Sequence, residues 1–303
     1  MKTVVVALGG NAIMRNNSDD IEKQFANVRK TAKEILFLAK KYRTVVTHGN
    51  GPQVGNIMIQ IETSVGKAYP VPLSVAVAES QGQLGYMIEQ AIVNESGKTD
   101  VAGILTQVLV DRNDPAFRNP TKPIGPFYSK VQAEKLERGG MHVKEDSGRG
   151  WRRVVPSPKP KKIIEAATIK KMLDSGIIVV AAGGGGIPVY KSGGKLVGVD
   201  AVIDKDLASA CLAKSIGADL LVILTGVDNV YLDYGTDKQR AIRQLTIKEA
   251  GKYMKHFAEG SMRPKVQAAV AFAKTGGKAL ITSPEKLRAA LSWNAGTWIV
   301  KDL

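Results

Sequence analysis

The run Thr3-Val4-Val5-Val6-Ala7-Leu8 is followed at once by Gly9-Gly10-Asn11-Ala12. Its apolar, β-branched residues do not alternate with polar ones, which predicts a strand buried on both faces of a parallel sheet. Two adjacent glycines after such a strand let the backbone approach a bulky group and donate from its N–H groups. Ligands of open α/β sheets bind beyond the carboxyl ends of the strands. The turn is therefore either a ligand-binding loop or only a tight exit from the strand.

Three later segments repeat this pattern of an apolar strand that ends in glycine. Strands predicted at 43–47, 177–182 and 220–224 are followed by His48-Gly49-Asn50-Gly51-Pro52, by four glycines at 183–186 and by Thr225-Gly226. Many backbone donors would then gather at one edge of the sheet, which suits phosphate groups. Neither G-x-x-x-x-G-K-[ST] nor G-x-G-x-x-G follows any of these strands. The residues predict a phosphate site built by several loops and completed by lysines.

Helical segments alternate with the strands, which predicts an α/β fold. Apolar residues at spacings of three and four predict helices at 21–39, 75–95, 163–174 and 263–275. Asp204 is predicted to cap a helix that carries Leu207 and Cys211, and Thr246 forms a capping box with Glu249. Cys211 lies among apolar helix positions, which favours a buried structural cysteine over a reactive one. Further strands are predicted at 102–110, 278–282 and 297–300.

The composition of the chain excludes several classes of function. The chain has 303 residues, of which 44% are hydrophobic, enough for one large α/β domain or two closely packed lobes. One cysteine excludes an internal disulfide, and three scattered histidines form no credible zinc set, so any metal is expected to be oxygen-ligated. The net charge of +15 favours anionic partners. With no leader-like segment and no apolar run of 18 residues, we expect a cytoplasmic protein without membrane contact.

The segment 111–160 is rich in proline and glycine, which interrupts any long element. We interpret 125–160 as a small subdomain inserted into a single domain that spans 1–303, with Lys122 at its hinge. It carries a basic cluster, which is either a nucleic-acid patch or a solvated basic arm. The cluster is short and has one aromatic residue, Trp151, so the arm is favoured and no nucleic-acid partner is expected. Its members are Arg149, Arg152, Arg153, Lys159, Lys161 and Lys162.

Several strings together resemble the amino acid kinase superfamily, and within it the carbamate kinases. Gly9-Gly10-Asn11 after the first strand is shared across the superfamily. The strings 48–55 (HGNGPQVG) and 119–125 (NPTKPIG), with the inserted subdomain, are specific to the carbamate kinases. Further matching strings lie at 145–152, 201–206 and 261–265, and the similarity runs essentially end to end.

The resemblance implies a three-layer αβα sandwich around a mostly parallel open sheet, with a small protruding subdomain. The lobe at about 1–175 would serve the phosphate acceptor and the lobe at about 176–303 the nucleotide. The implied reaction is ATP + carbamate ⇌ ADP + carbamoyl phosphate, often run towards ATP. Mg²⁺ would accompany ATP or ADP without a metal ligand assigned among the protein side chains. A homodimer is also implied.

The resemblance also assigns roles to individual residues. Asn11 and the glycines of its turn would contact the transferred phosphoryl group, the second glycine turn would hold the carbamate end, and lysines would contact phosphate oxygens. Asp206 would hold these lysines in place.

The implied catalytic residues are Lys122, Lys205, Asp206, Lys265 and Asn11. Substrate and phosphate are assigned to Gly9, Gly10, Gly49, Asn50, Gly51, Gly184 and Gly185. The nucleotide wall is assigned to Thr225, Gly226, Val227, Tyr231 and Met262.

Each assignment has a purely structural alternative. Asn11 and Asn50 are also good turn formers, and Asp206 suits the first turn of a helix. His48 follows a strand end, where a packing or supporting role is favoured over acid–base chemistry. Two other functions stay open: a superfamily kinase for a larger acceptor such as an acylamino acid, and a non-catalytic binder of nucleic acid or nucleotide. The first should lack the inserted subdomain, and the second should bind polyanions with steep salt dependence.

Overall fold

A computed structural model describes residues 1–14, 20–97, 99–146, 150–258 and 261–302, with only the backbone of Asn11. The α-helices of these residues are α1 (Ile21–Ala39), α2 (Gly51–Thr63), α3 (Leu73–Ser96), α4 (Lys130–Arg138), α5 (Ala166–Asp174), α6 (Lys205–Ile216), α7 (Ile247–Tyr253), α8 (Met262–Ala273) and α9 (Leu287–Leu291). The strands are β1 (Thr3–Leu8), β2 (Arg43–His48), β3 (Val101–Gly103), β4 (Gln107–Leu109), β5 (Lys122–Tyr128), β6 (Val143–Glu145), β7 (Trp151–Val155), β8 (Lys162–Ile163), β9 (Ile178–Val180), β10 (Ile187–Ser192), β11 (Lys195–Gly198), β12 (Leu220–Leu224), β13 (Val230–Leu232), β14 (Arg240–Ile242), β15 (Gln244–Thr246), β16 (Lys278–Thr282) and β17 (Thr297–Val300).

The main sheet has the strand order β15-β17-β16-β12-β1-β2-β9-β3. β1 lies near its middle and pairs in parallel with β12 on one side and β2 on the other. The pairing of β16 with β17 is antiparallel, so the sheet is mostly parallel. The carboxyl ends of β1, β2, β9 and β12 therefore meet at one edge, with the glycine turns that follow them.

Helices cover both faces of this sheet. Successive side chains of a strand point to opposite faces, and in β1 Val5 enters one hydrophobic core while Val4 and Val6 enter the other. The first core includes residues of α5, α6 and α8, and the second includes residues of α1, α3 and α9. The predicted three-layer αβα fold with a mostly parallel sheet is confirmed.

A smaller antiparallel sheet, β5-β7-β6, carries α4 and lies within the segment interpreted as an insertion. It packs against α2 through two glycines: a Cβ added at Gly55 would lie 2.0 Å from the Cα of Gly125. Gly125 has φ +72°, which a side chain would disfavour. This close backbone contact fixes where β5, and with it Lys122, approaches the main body.

Most predicted elements are confirmed, and two differ. The strand predicted at 102–110 is two short strands, because the chain leaves the main sheet after β3 and pairs β4 with β10 in a second sheet, β11-β10-β4-β8. The helix predicted from 163 begins at 166, because Ile163 pairs with Val108. α2 was not predicted. The caps are confirmed: Asp204 accepts from the N–H groups of Asp206 and Leu207, and Thr246 forms its capping box.

No helix in the described ranges combines the length and apolar character that crossing a membrane requires.

Candidate active site

A cavity of about 720 Å³ lies beyond the carboxyl ends of the central strands. Its walls come from the turns after β1 and β2, the glycines before β10, the start of β5 and the amino-terminal ends of α6 and α8. The predicted site residues among its lining are Gly10, Gly49, Asn50, Gly51, Lys122, Gly184, Lys205, Asp206 and Lys265. The side chain of Asn11 lies outside the described part of the chain.

Asp206 is the centre of the charged wall of this cavity. Its side chain is 2% exposed, and it lies in the first turn of α6, where the sheet edge meets the helix. Nζ of Lys205 lies 2.5 Å from its Oδ1, and Nζ of Lys265, from α8, lies 3.1 Å from its Oδ2. One buried carboxylate therefore brings together two lysines that are 60 residues apart in the chain.

In this cluster, burial and the neighbouring opposite charges shift the pKa values in opposite directions. Burial alone would raise the pKa of Asp206, but the positive charges of Lys205 and Lys265 outweigh it and hold that pKa below its usual range. Burial lowers the pKa of Lys205 more than attraction to Asp206 raises it. In Lys265 the attraction to Asp206 outweighs burial, so its pKa is raised. An incoming anion would offset the burial of these two ammonium groups.

Lys122 reaches the same cavity from the first residue of β5. Its Nζ donates to Oδ2 of Asp204 at 2.7 Å, while Oδ1 of Asp204 caps α6. Burial would raise the pKa of Asp204, but the charge and hydrogen bond of Lys122, together with the charges of Lys205 and Lys265, outweigh burial and hold this pKa well below its usual range. The sequence analysis predicted Asp204 only as a helix cap and missed its pairing with Lys122. The available signal was its position in the matched string 201–206.

The second glycine turn leads into α2, whose amino-terminal end faces the cavity. The N–H of Gly49 donates to the carbonyl of Leu8 at 3.3 Å, so this group belongs to the sheet rather than to a ligand. A Cβ at Gly49 would lie 3.1 Å from Cδ of Lys205, and the missing side chain therefore lets the lysine stem pass. The amide of Asn50 donates to Oγ of Ser80 at 2.8 Å, which anchors the turn to α3. Backbone donors at Asn50 and Gly51 are the groups suited to an anion here.

The glycines at 183–186 pack as a tight support behind the cavity. Gly184 has φ +65°, and an added Cβ would lie 2.2 Å from Nδ2 of Asn50. A Cβ at Gly185 would lie 2.2 Å from the carbonyl oxygen of Ile203. Both glycines were predicted to bind substrate or phosphate. Gly184 lines the cavity, whereas Gly185 is explained by close packing against the segment before α6.

The residues predicted for the nucleotide are spread more widely. Gly9, Thr225 and Gly226 line a second cavity of about 400 Å³ beside α1. An added Cβ at Gly9 would lie 2.6 Å from the carbonyl oxygen of Leu224, so this glycine also permits the packing of the β1 turn on β12. The remaining three are half-buried and lie on nearby elements: Val227 after β12, Tyr231 in β13 and Met262 at the start of α8.

Much of the predicted basic cluster is paired with carboxylates. Arg153 pairs with Glu62, Arg152 lies 3.5 Å from Asp146, and Nζ of Lys161 lies 2.7 Å from Asp111. These partners reduce the positive charge that a polyanion would meet. Arg149 lies outside the described residues.

Across the described ranges, no group of three or more His, Cys, Asp or Glu side chains is arranged to hold a metal ion. Asp204 and Asp206, which face the cavity, are both engaged by lysines. Mg²⁺ prefers to keep several waters and to bind through one or two carboxylates together with substrate phosphates. The donor set therefore fits a magnesium ion that arrives on nucleotide phosphates, not one held by the protein alone.

Comparison with known proteins identifies the family to which the chain belongs. The amino acid kinase family profile matches residues 2–283. The carbamate kinase of Pyrococcus horikoshii is 50% identical over 308 residues, which covers 98% of each chain. Carbamate kinase from Giardia lamblia bound to AMP-PNP superposes with a TM-score of 0.91 at 44% identity over 99% of each chain, and the form bound to citric acid with 0.94 at 43% over 99% of each. The chain belongs to the amino acid kinase family. Within that family it is a member of the carbamate kinases, as the matched strings predicted.

Proposed function

We propose that this chain transfers a phosphoryl group between ATP and carbamate, giving ADP and carbamoyl phosphate, in the cavity lined by Lys122, Lys205 and Lys265. The observation that carries the proposal is the convergence of the three lysines around the carboxylates of Asp204 and Asp206, opposite a glycine turn with backbone donors. Family membership supports the choice of reaction.

The chemistry needs charge placement more than proton transfer. The attacking oxygen of carbamate is already ionised, so no general base is required. Phosphoryl transfer offers little covalent chemistry to assist, and catalysis comes from alignment and electrostatic stabilisation. Both reactants are anionic, and a positively charged cavity offsets their mutual repulsion. A site without a titrating histidine is therefore sufficient for this reaction.

Each wall of the cavity then has a role. Lys205 and Lys265 contact the oxygens of the transferring phosphoryl group from one side, with Asp206 fixing their Nζ atoms. Gly10 and Asn11 donate to the same group from the β1 turn. Backbone N–H groups of Asn50 and Gly51 hold the carbamate end. Gly49 supports this turn through its bond to Leu8.

Lys122 is the lysine whose position depends on the inserted subdomain. It belongs to β5, whereas its partner Asp204 belongs to the main body. We infer that Lys122 exchanges Asp204 for the phosphoryl group when substrate enters. Closure of the subdomain would then exclude water from the reaction, as lids do in other transferases.

The nucleotide is assigned to the carboxyl end of β12 and the start of α8. Thr225, Gly226, Val227, Tyr231 and Met262 form its wall in this proposal, and Gly9 and Gly184 complete the phosphate side. The phosphates of the nucleotide would bring Mg²⁺ into this site, where it would neutralise part of their negative charge. A relative bound to AMP-PNP supports a nucleotide as one substrate.

Four further features complete the proposal. The chain is taken as one domain with an acceptor lobe to about 175 and a nucleotide lobe from about 176, with 125–160 inserted. It is taken to work in the cytoplasm, as a homodimer, and in the direction of ATP. The cellular location, the homodimer and the direction of the reaction are not required for the placement of the lysines.

The test is a coupled assay of ATP formed from ADP and three phosphoryl donors. Carbamoyl phosphate is expected to give a strong signal, and acetyl phosphate and N-acetylglutamyl phosphate little. Equal or greater activity with N-acetylglutamyl phosphate would point to the larger-acceptor kinase instead. Absence of ATP formation with all three donors, from a protein that unfolds cooperatively, would contradict the proposal.

A further inference from the structure

His48, the last residue of β2, is fully buried directly behind the turn that holds the carbamate end. Its Nδ1 lies 3.0 Å from the carbonyl oxygen of Gly49. A carbonyl oxygen only accepts, so Nδ1 carries the hydrogen of this bond, and in a neutral ring Nε2 is then the unprotonated nitrogen. Nε2 has no hydrogen-bond partner among the described residues.

The ring of His48 packs directly against Gly183, where no side chain occupies the space. A Cβ added at Gly183 would lie 2.3 Å from Nε2 and 2.6 Å from Cε1 of His48. Gly183 and His48 line a separate cavity of about 220 Å³ on the far side of the turn, whereas Gly49 and Gly184 line the large cavity. The ring thus lies on the opposite side of the turn from the proposed substrate and cannot reach the reacting atoms.

The bond to Gly49 determines which way the next peptide points. In a planar trans peptide the N–H lies opposite the C=O, so holding the carbonyl of Gly49 towards the ring directs the N–H of Asn50 away from it. The carbonyl of Asn50 is also fixed, because it accepts from the N–H of Val54 at 2.9 Å. Asn50 is therefore held on both sides, and its N–H is oriented by the bond that His48 makes.

We propose that His48 is a positioning residue: through its Nδ1–H bond to Gly49 it keeps the backbone N–H of Asn50 directed at the carbamate end of the substrate. This inference rests on the proposed function of the large cavity. The ring stays uncharged in this role, which agrees with its surroundings. Burial, together with the nearby charge of Lys205, lowers its pKa to about 4, although the bond to Gly49 acts in the opposite direction.

A pair of amide substitutions separates this role from simple packing. The side-chain nitrogen of asparagine can occupy the position of Nδ1, whereas that of glutamine reaches the position of Nε2. His48→Asn is expected to keep the KM for carbamoyl phosphate within about threefold, because the bond to Gly49 is kept. His48→Gln and His48→Ala are expected to raise that KM, or lower kcat, about tenfold, the effect of one lost hydrogen bond. The KM for ADP should stay unchanged in all three variants.

Equal effects of His48→Asn and His48→Gln, or a matching rise in the KM for ADP, would overturn the inference. A second measurement needs no variant. ¹⁵N NMR of the wild-type protein, which has only three histidines, should show His48 neutral at pH 6 with its proton on Nδ1. A proton on Nε2, or a charged ring, would overturn the inference as well. If wild-type protein forms no ATP from carbamoyl phosphate, the proposed function fails, while the NMR result still reports on the Gly49 contact.

Discussion

Two lysine–carboxylate pairs face the same cavity, and they are built differently. Lys205 and Lys265 share Asp206 inside the main fold, where their side chains are 12% and 15% exposed. Lys122 pairs with Asp204 across the boundary between β5 and the main body, and its side chain is 27% exposed. The first pair belongs to the core, and the second joins β5 to the main body.

This difference separates stability from catalysis. A buried carboxylate between two lysines costs free energy unless its partners stay in place, so Asp206 should affect both the fold and the reaction. A partly exposed ion pair contributes little to stability. Lys122 should therefore affect mainly the reaction.

The largest effect is expected from Asp206→Asn, which removes the charge that both core lysines share. Two ammonium groups would then lie close together without compensation. The free energy of unfolding should fall by about 3 to 5 kcal/mol, the range for breaking a buried ion pair, and turnover should fall with it. Urea unfolding at pH 7 measures this loss. A loss below 1 kcal/mol would show that Asp206 is not the organising charge of the core cluster.

The second-largest effect is expected from Lys205→Ala. This variant tests whether a lysine of the core pair affects catalysis more than stability. Turnover should fall at least about a hundredfold, as when one charge-stabilising donor is removed. The fold should stay intact, because Lys265 still pairs with the buried carboxylate of Asp206. Lys214→Ala, on an exposed position of the same helix, is the matched control and should leave turnover unchanged. Near-normal turnover of Lys205→Ala would remove this lysine from the mechanism.

Lys122→Ala tests the other side of the comparison. It should lower turnover about a hundredfold and change the free energy of unfolding by less than about 1 kcal/mol. Lys130→Ala, an exposed lysine at the start of α4, provides the control within the same segment. A large destabilisation by Lys122→Ala would mean that the Lys122–Asp204 pair is structural, and the contrast between the two pairs would disappear.

Lowering the pH should reduce the free energy of unfolding through both Asp204 and Asp206. Near neutral pH this is the smallest of the expected effects. The native pKa values of Asp204 and Asp206 lie below their usual range, burial being outweighed by the lysines. Their contribution to stability is therefore complete above the unfolded pKa of about 3.9, and it is lost as pH falls through the native values. Unfolding free energies from pH 7 to pH 3 should be flat at first and then fall. In Asp206→Asn the fall should be shallower, and an unchanged slope would contradict the shift at Asp206.

Local patterns in the sequence were enough to predict the strands around β1, the caps at Asp204 and Thr246, and the convergence of the glycine turns. They could not show that the apolar run 102–110 crosses between two sheets, because periodicity does not reveal which neighbour a strand pairs with. α2 was missed although Pro52 lies in its first turn, a common helix start. Its glycine at position 55 and its isoleucines weaken the helical pattern.

Within the site, the matched strings predicted which residues meet but not how they are paired. The sharing of Asp206 by two lysines was predicted, since the family pattern implies it. The pairing of Lys122 with Asp204 depends on contacts between segments far apart in the chain. Such contacts are set by tertiary packing, which a single sequence does not encode in a locally readable form.

The most direct measurement is a double-mutant cycle on ATP formation from ADP and carbamoyl phosphate, with wild type, Lys205→Ala, Lys265→Ala and the double variant. Residues that act as a unit on one transition state are strongly non-additive. If Lys205 and Lys265, held by one carboxylate, act together on the transferring phosphoryl group, the double variant should turn over about as slowly as the slower single variant. Losses that multiply in the double variant, or single variants with wild-type turnover, would contradict this.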